Sequence, residues 1–207
     1  DLIGLTDVAA KIPQFMTKMP HLITGLKQAY LRTPNTPAGL GLAFEKAVHR
    51  NPNGCALMFE DQQYSYLQLN AWANQIAHYY LSIGARKGDV IAVMLENRPE
   101  LIASVIGLAK IGVIAALVNT AQVAKVLAHS INLVKPIAVI VGEECRQAVA
   151  DIRQELELAE NRLYWFADQN TRTDTGTAPE GFQNLAQCIA SFPSFNPATT
   201  QSVQGKD

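Results

Sequence analysis

The chain has 207 residues, 48% of them hydrophobic and 17% charged, with 17 Lys plus Arg against 18 Asp plus Glu. That size fills one sizeable core or two tightly packed subdomains. The near-neutral balance excludes a strongly basic nucleic-acid binder and an acidic disordered tail, and Cys55, Cys145 and Cys188 are too few and scattered for a disulfide framework or a zinc knuckle.

The first 20 residues carry no continuous apolar run of the kind a secretory signal needs, and Asp7, Lys11 and Lys18 interrupt them. Across residues 1–36, Val8, Ile12, Phe15, Met16, Met19, Leu22, Ile23, Leu26 and Tyr30 recur at helical spacing, with Pro13 and Pro20 as breaks. Lys11, Lys18, Lys27 and Arg32 lie among them. One reading is a helical arm packed on the rest of the protein. The other is an amphipathic segment resting on an anionic membrane surface. The modest amphipathicity and the small number of cations favour the first.

Pro34–Pro37 ends the arm, and a helix is predicted over 38–50, followed by the breaker Asn51-Pro52-Asn53-Gly54. Residues 55–60 and 64–66, separated by Asp61-Gln62-Gln63, read as a β-hairpin. Leu69, Trp72, Ile76, Tyr79 and Ile83 form the core stripe of a helix over 67–83, capped by Gly84. His78 lies beside that stripe and reads as a partly buried structural histidine. Strand 90–95 leads into helix 100–110, with Pro99 where the first helical position belongs. Strand 113–118, helix 123–131, strand 137–141, helix 143–158, strand 162–166, a polar loop over 168–181 and a helix over 182–190 complete the order. From Leu101 to Ala124 the only charge is Lys110, so the stretch is long enough to span a bilayer. Its residue types change at Gly112 from helix formers to strand formers, which favours a helix, a turn and a buried strand.

Alternating strands and helices predict an α/β fold: a mostly parallel, doubly wound sheet flanked by helices, preceded by a β-hairpin and the N-terminal arm. The expected divisions are an arm over 1–36, a partial subdomain over 37–192 and a linker over 193–207. A search for chemistry finds no glycine-rich phosphate loop, no pair of histidines at metal-ligand spacing and no serine nucleophile elbow. The turn Val141-Gly142-Glu143-Glu144 places a glycine between strand and helix, but its carboxylates repel phosphate and read as capping the helix that follows. Cys145 and Cys188 read as small buried residues.

Certain patterns are familiar in order. Tyr64-Ser65-Tyr66-Leu67-Gln68-Leu69-Asn70 running into Asn74-Gln75-Ile76-Ala77 resembles the first core motif of the adenylate-forming (AMP-binding) superfamily. Lys87-Gly88-Asp89, then Glu96-Asn97-Arg98-Pro99-Glu100, then Gly107-Leu108-Ala109-Lys110-Ile111-Gly112 resemble its second core region. Val118-Asn119-Thr120 and Leu127-Ala128-His129-Ser130 narrow the likeness to long-chain and very-long-chain acyl-CoA synthetases of the fatty acid transport protein type. That group usually has a basic residue and a glycine where this chain has Val123-Ala124.

The resemblance implies an ATP-dependent fatty acid:CoA ligase. A fatty carboxylate forms an acyl-adenylate with Mg²⁺ assisting, and coenzyme A then takes the acyl group as a thioester. It implies a fatty acid as partner, no nucleic acid, and a cytoplasmic location, with residues 1–36 as the candidate contact with the inner membrane face. The family's phosphate loop, magnesium-binding Glu and adenylation Lys are absent. The segment is therefore expected to hold no catalytic, cofactor-binding or metal residue and to be inactive alone, with Asp1 and Asp207 reading as cut ends. Ligands of doubly wound sheets sit beyond the carboxyl ends of strands, which makes Asn97, Asn119 and Thr120 the crevice-lining candidates. The plainer reading has Asn97 capping a helix and Asn119-Thr120 forming a turn. A synthetase for carnitine or medium-chain acids, and a free-standing non-catalytic α/β binding module, are the alternatives.

Overall fold

The computed structural model describes residues 16–20, 22–23, 25–26, 35–167 and 177–204. The chain divides into a unit of residues 1–36 with Lys206 and a unit of residues 37–205 with Asp207. In the first, residues 16–20, 22–23 and 25–26 are helical, Asn35 and Thr36 form a turn and a bend, and Met16, Leu22, Ile23 and Leu26 are exposed. The rest of the predicted arm lies outside the described residues. So do residues 168–176 of the polar loop and residues 205–207.

In the second unit, α1 (Leu40–Arg50) precedes a hairpin of β1 (Cys55–Phe59) and β2 (Gln62–Ser65). Ser65 then starts α2 (Tyr66–Ser82) with a complete capping box. Its hydroxyl accepts from the Gln68 N–H at 3.2 Å, and the Gln68 side chain accepts from the Ser65 N–H at 2.8 Å. Two helix-end donors are thereby satisfied reciprocally, which gives the Ser65–Gln68 part of the first family motif a structural reason.

The chain continues through β3 (Val90–Met94), α3 (Pro99–Lys110), β4 (Ile114–Leu117), α4 (Ala124–Leu133), β5 (Ala138–Gly142), α5 (Arg146–Asp151), β6 (Leu163–Phe166), β7 (Gln183–Asn184) and α6 (Leu185–Ile189). Five strands form one sheet in the order β4-β3-β5-β6-β7, with every pair parallel. Side chains alternate across it as the pleat requires. Ile91, Val93, Ala138, Ile140, Tyr164 and Phe166 pack on the α2/α3/α6 side, where Leu69, Ile76, Leu108 and Leu185 meet them. Ala92, Met94, Val139, Val141 and Leu163 pack on the other side with Leu127 and Ile131 of α4 and Val149 of α5. Both faces are covered, hence the near-continuous apolar strands.

Helices α2 and α3 approach closely because Gly107 has no side chain: a Cβ there would stand 2.5 Å from the Ala73 carbonyl. Lys110 ends α3, and the apolar stretch considered as a span is a helix, a turn and β4. Among the described residues no helix is long and apolar enough to cross a membrane. Strand β4 is the sheet edge, with Ile114 and Leu117 exposed and no charged residue between Gly112 and Gln122.

Two elements differ from expectation. The helix expected over 143–158 is a 3-10 turn (Glu143–Cys145), the short α5 and a second 3-10 turn (Arg153–Glu155). The helix expected over 182–190 begins with β7, because Gln183 and Asn184 pair with β6 before Asn184 accepts from the Gln187 N–H and starts α6. Residues 190–204 run along α2 and include a 3-10 turn at Ala198–Ser202.

Candidate functional site

After β3 the chain passes to β4 on one side and then to β5 on the other, so the sheet's topological switch point lies at β3. Ligands of open α/β sheets bind beyond the carboxyl ends of the strands at such a point. There the structure has a cavity of about 640 Å³. Leu95, Glu96, Asn97 and Arg98 wall it after β3, Leu117 to Thr120 at and after β4, Glu144 after β5, Leu101 from α3, and Phe59 and Glu60 from the hairpin.

All three crevice candidates line this cavity. Asn97 is exposed at it, and the residue that caps α3 is Arg98, with no side-chain capping bond. The capping role expected of Asn97 is therefore not the one it has. Asn119 accepts from the Ala121 N–H at 2.9 Å through its side chain. It thus forms a turn and lines the cavity at once.

Two charged groups of the cavity, Arg98 and Glu144, are committed to one another. Arg98 donates to Glu100 Oε2 and to Glu144 Oε2, both at 2.9 Å, and to the Ala167 carbonyl. Glu144 Oε1 accepts from the Glu96 N–H at 2.7 Å. Its carboxylate folds back over Gly142, where any Cβ would collide with it. Glu143 takes the Trp165 indole N–H at 2.7 Å and Arg146 at 3.1 Å. Neither carboxylate caps the turn it begins, which corrects the expected capping. Trp165 and Arg98 compete more effectively because they are buried donors that need acceptors. Beneath them Cys145 is 3% exposed, and its thiol is pushed up to about 12. Burial is the main cause, Glu144 and Glu96 add to it, and Arg98 opposes it.

Arg98 was not among the sequence candidates. Its signal is a cation at a helix start, where the helix dipole disfavours positive charge, followed by Glu100, its partner. Lys110, at the opposite end of α3, was legible as a lone charge in an apolar stretch and as part of the second motif, but not as a site residue. It is fully buried, and its ammonium stands 2.7 Å from Asn70 Oδ1 and Asn74 Oδ1 and 3.0 Å from Glu45 Oε1 and Asn196 Oδ1. Burial lowers its pKa, and the Glu45 carboxylate resists that shift. His78 donates through Nε2 to the Phe195 carbonyl at 3.0 Å and is structural.

Residues 44–201 match the AMP-binding enzyme family, and the chain belongs to that family. It is 31% identical over 205 residues to the medium/long-chain-fatty-acid–CoA ligase FadD6 of Mycobacterium tuberculosis (strain ATCC 25618 / H37Rv), covering 99% of this chain and 32% of that protein. It is 36% identical over 115 residues to long-chain fatty acid transport protein 1 of Rattus norvegicus, covering 55% and 18%. Among solved structures, the anthranilate CoA ligase AuaEII in complex with anthranoyl-AMP superposes with a TM-score of 0.72 at 20% identity, over 82% of this chain and 31% of that one. A Mycobacterium tuberculosis fatty acyl CoA synthetase superposes at 0.62 and 22% identity, over 78% and 30%. The chain thus spans about a third or less of these relatives.

Proposed function

We propose that this chain is the part of an ATP-dependent fatty acid:CoA ligase that walls one side of the substrate crevice. The observation that carries the reading is the cavity at the switch point. Phe59, Leu95, Leu101, Leu117 and Val118 offer it an apolar wall, and Asn97, Asn119 and Thr120 supply neutral hydrogen-bonding groups beside that wall. An apolar wall with a few placed polar groups suits a ligand with a hydrocarbon part and a polar end, and it helps keep water from a reactive acyl intermediate.

The lining does not fit the triphosphate of ATP. Among the described residues Arg98 is its one cation, already bound by two carboxylates, and Glu60 and Glu96 add negative charge. No step through ATP or Mg²⁺ is assigned to these residues. Their work is to shape, orient and exclude water, and the phosphate chemistry belongs to groups outside this chain.

The test is a thioester assay. The polypeptide that carries this chain, given palmitate, ATP, Mg²⁺ and coenzyme A, should form palmitoyl-CoA and AMP, and the 207-residue chain alone should release no pyrophosphate. Failure of the longer polypeptide on every fatty acid from medium to very long chain would overturn the substrate class. Pyrophosphate release by the short chain would overturn the division of labour.

A further inference from the structure

Phe192 packs against the core, edge-on to Tyr79, whereas the stretch that follows, residues 194–204, is fastened to the sheet unit mainly by polar groups. Pro197 and Thr200 are buried, but Ser194, Phe195 and Asn196 are exposed, Phe195 by 67%. Beyond the Phe195 ring, which meets the His78 ring edge-on at 4.9 Å, burial of apolar area, the usual source of attachment, contributes little here. The polar contacts fall along one side of α2. Gln75 Nε2 donates to the Ala190 carbonyl at 3.4 Å, Asn74 Nδ2 to the Ser194 carbonyl at 2.7 Å, and His78 Nε2 to the Phe195 carbonyl at 3.0 Å. The side-chain carbonyl of Asn196 accepts three donors: Asn70 Nδ2 at 2.9 Å, and Asn74 Nδ2 and Lys110 Nζ at 3.0 Å. Beyond it, the Val203 carbonyl accepts from the Ala38 N–H at 3.0 Å, and Gln204 bridges to Pro37.

We propose that Ser194–Val203 is a strap, latched where the Asn196 carbonyl enters the Lys110 cluster, and that it opens and closes as one unit while the sheet stays folded. Two features support this. Segments with few buried apolar contacts and surface backbone bonds are the ones that open below the free energy of global unfolding. The cluster is also built to survive the opening. An ammonium has three N–H groups, and Lys110 faces four oxygens. Withdrawal of Asn196 leaves Glu45, Asn70 and Asn74, one acceptor for each N–H. The buried charge therefore loses no partner it needs, and the open state uncovers the amine together with Asn70, Asn74 and His78. This device stands independently of the ligase reading.

Hydrogen exchange on the 207-residue protein tests it. The Ala38 amide, bonded to Val203, and the Thr200 amide, bonded to Pro197, report the strap, and the Val139 amide, bonded to Arg162, reports the sheet. Ala38 and Thr200 should exchange with a common opening constant, at least about a hundredfold larger than that of Val139. Asn196→Ala should raise that constant roughly tenfold and leave Val139 unchanged. Acylation of the Lys110 amine by a water-soluble active ester, read by peptide mass spectrometry, should rise by the same factor. Any of three results would overturn the proposal: Ala38 and Thr200 exchanging with Val139, the variant accelerating all three amides alike, or Lys110 labelling that does not move.

Discussion

The two ends of α3 are opposites. At its start, Arg98 and Leu101 border an open cavity where Glu96, Asn97 and Asn119 meet solvent. At its end, Lys110 is sealed among four oxygens drawn from α1, α2 and the strap. One end is built to leave room and the other to leave none. The Lys110 end is also where the two family motifs meet, because Asn74 comes from the first and Lys110 from the second. Residues that mark the family in this chain are therefore recognisable for how they hold helices together. A motif that identifies an enzyme need not contain its chemistry.

The sharpest way to break this comparison is at Lys110. Lys110→Met strands the Glu45 carboxylate and three amide carbonyls, and removal of one partner from a buried pair costs about 3–5 kcal/mol. Asn97→Ala, at the open end, should stay within about 0.5 kcal/mol. Urea unfolding of the two variants measures both. Similar losses would mean that the ends of α3 are not mechanically distinct.

A second prediction reads the charge at the cavity end through Cys145. The thiol of the unfolded chain ionises near 9.0, whereas the folded one is pushed up to about 12. The folded pKa is the raised one, so the stability that the protonated thiol contributes is complete below pH 9 and is lost as pH rises toward 12. Iodoacetamide at pH 9 should modify Cys145 roughly a hundredfold more slowly than the exposed Cys55. Comparable rates would mean that the floor beneath Glu144 is open to solvent.

The smallest expected effect lies at a backbone position that glycine would suit. Ala124 has φ 51°, in the left-handed region, where a Cβ costs about 1–2 kcal/mol. Ala124→Gly should therefore stabilise the chain by about 1 kcal/mol, after the entropy of the more flexible unfolded glycine is deducted. Thermal unfolding checks it, and a lower midpoint would show that the Ala124 methyl packs better than its backbone strain costs.

Much of the fold was legible because each strand is an apolar run and each long helix has its stripe and its stop. Pro99 at the start of α3 and the change of residue type at Gly112 are clear examples. The expected helix over 143–158 failed because carboxylates that would cap it found Trp165, Arg146 and Arg98 instead, contacts that span 22, 3 and 46 residues. Strand β7 was hidden because two residues are too short to show alternation. At the site, Asn97, Asn119 and Thr120 followed from a rule about strand ends. Arg98 did not, since two of its three partners, Glu144 and the Ala167 carbonyl, lie on segments that only the sheet brings beside it.

The bare edge of β4 has a consequence for how this chain behaves as a solute. Sheets commonly guard their edges with charge, proline or a covering element, and Ile114 and Leu117 stand on this one without a charged neighbour in the strand. Among the described residues no further strand pairs with that edge, and an open row of backbone groups is a template for an extended segment. The edge strand is thereby expected to set the concentration at which the 207-residue chain ceases to be monodisperse, which light scattering over a dilution series measures.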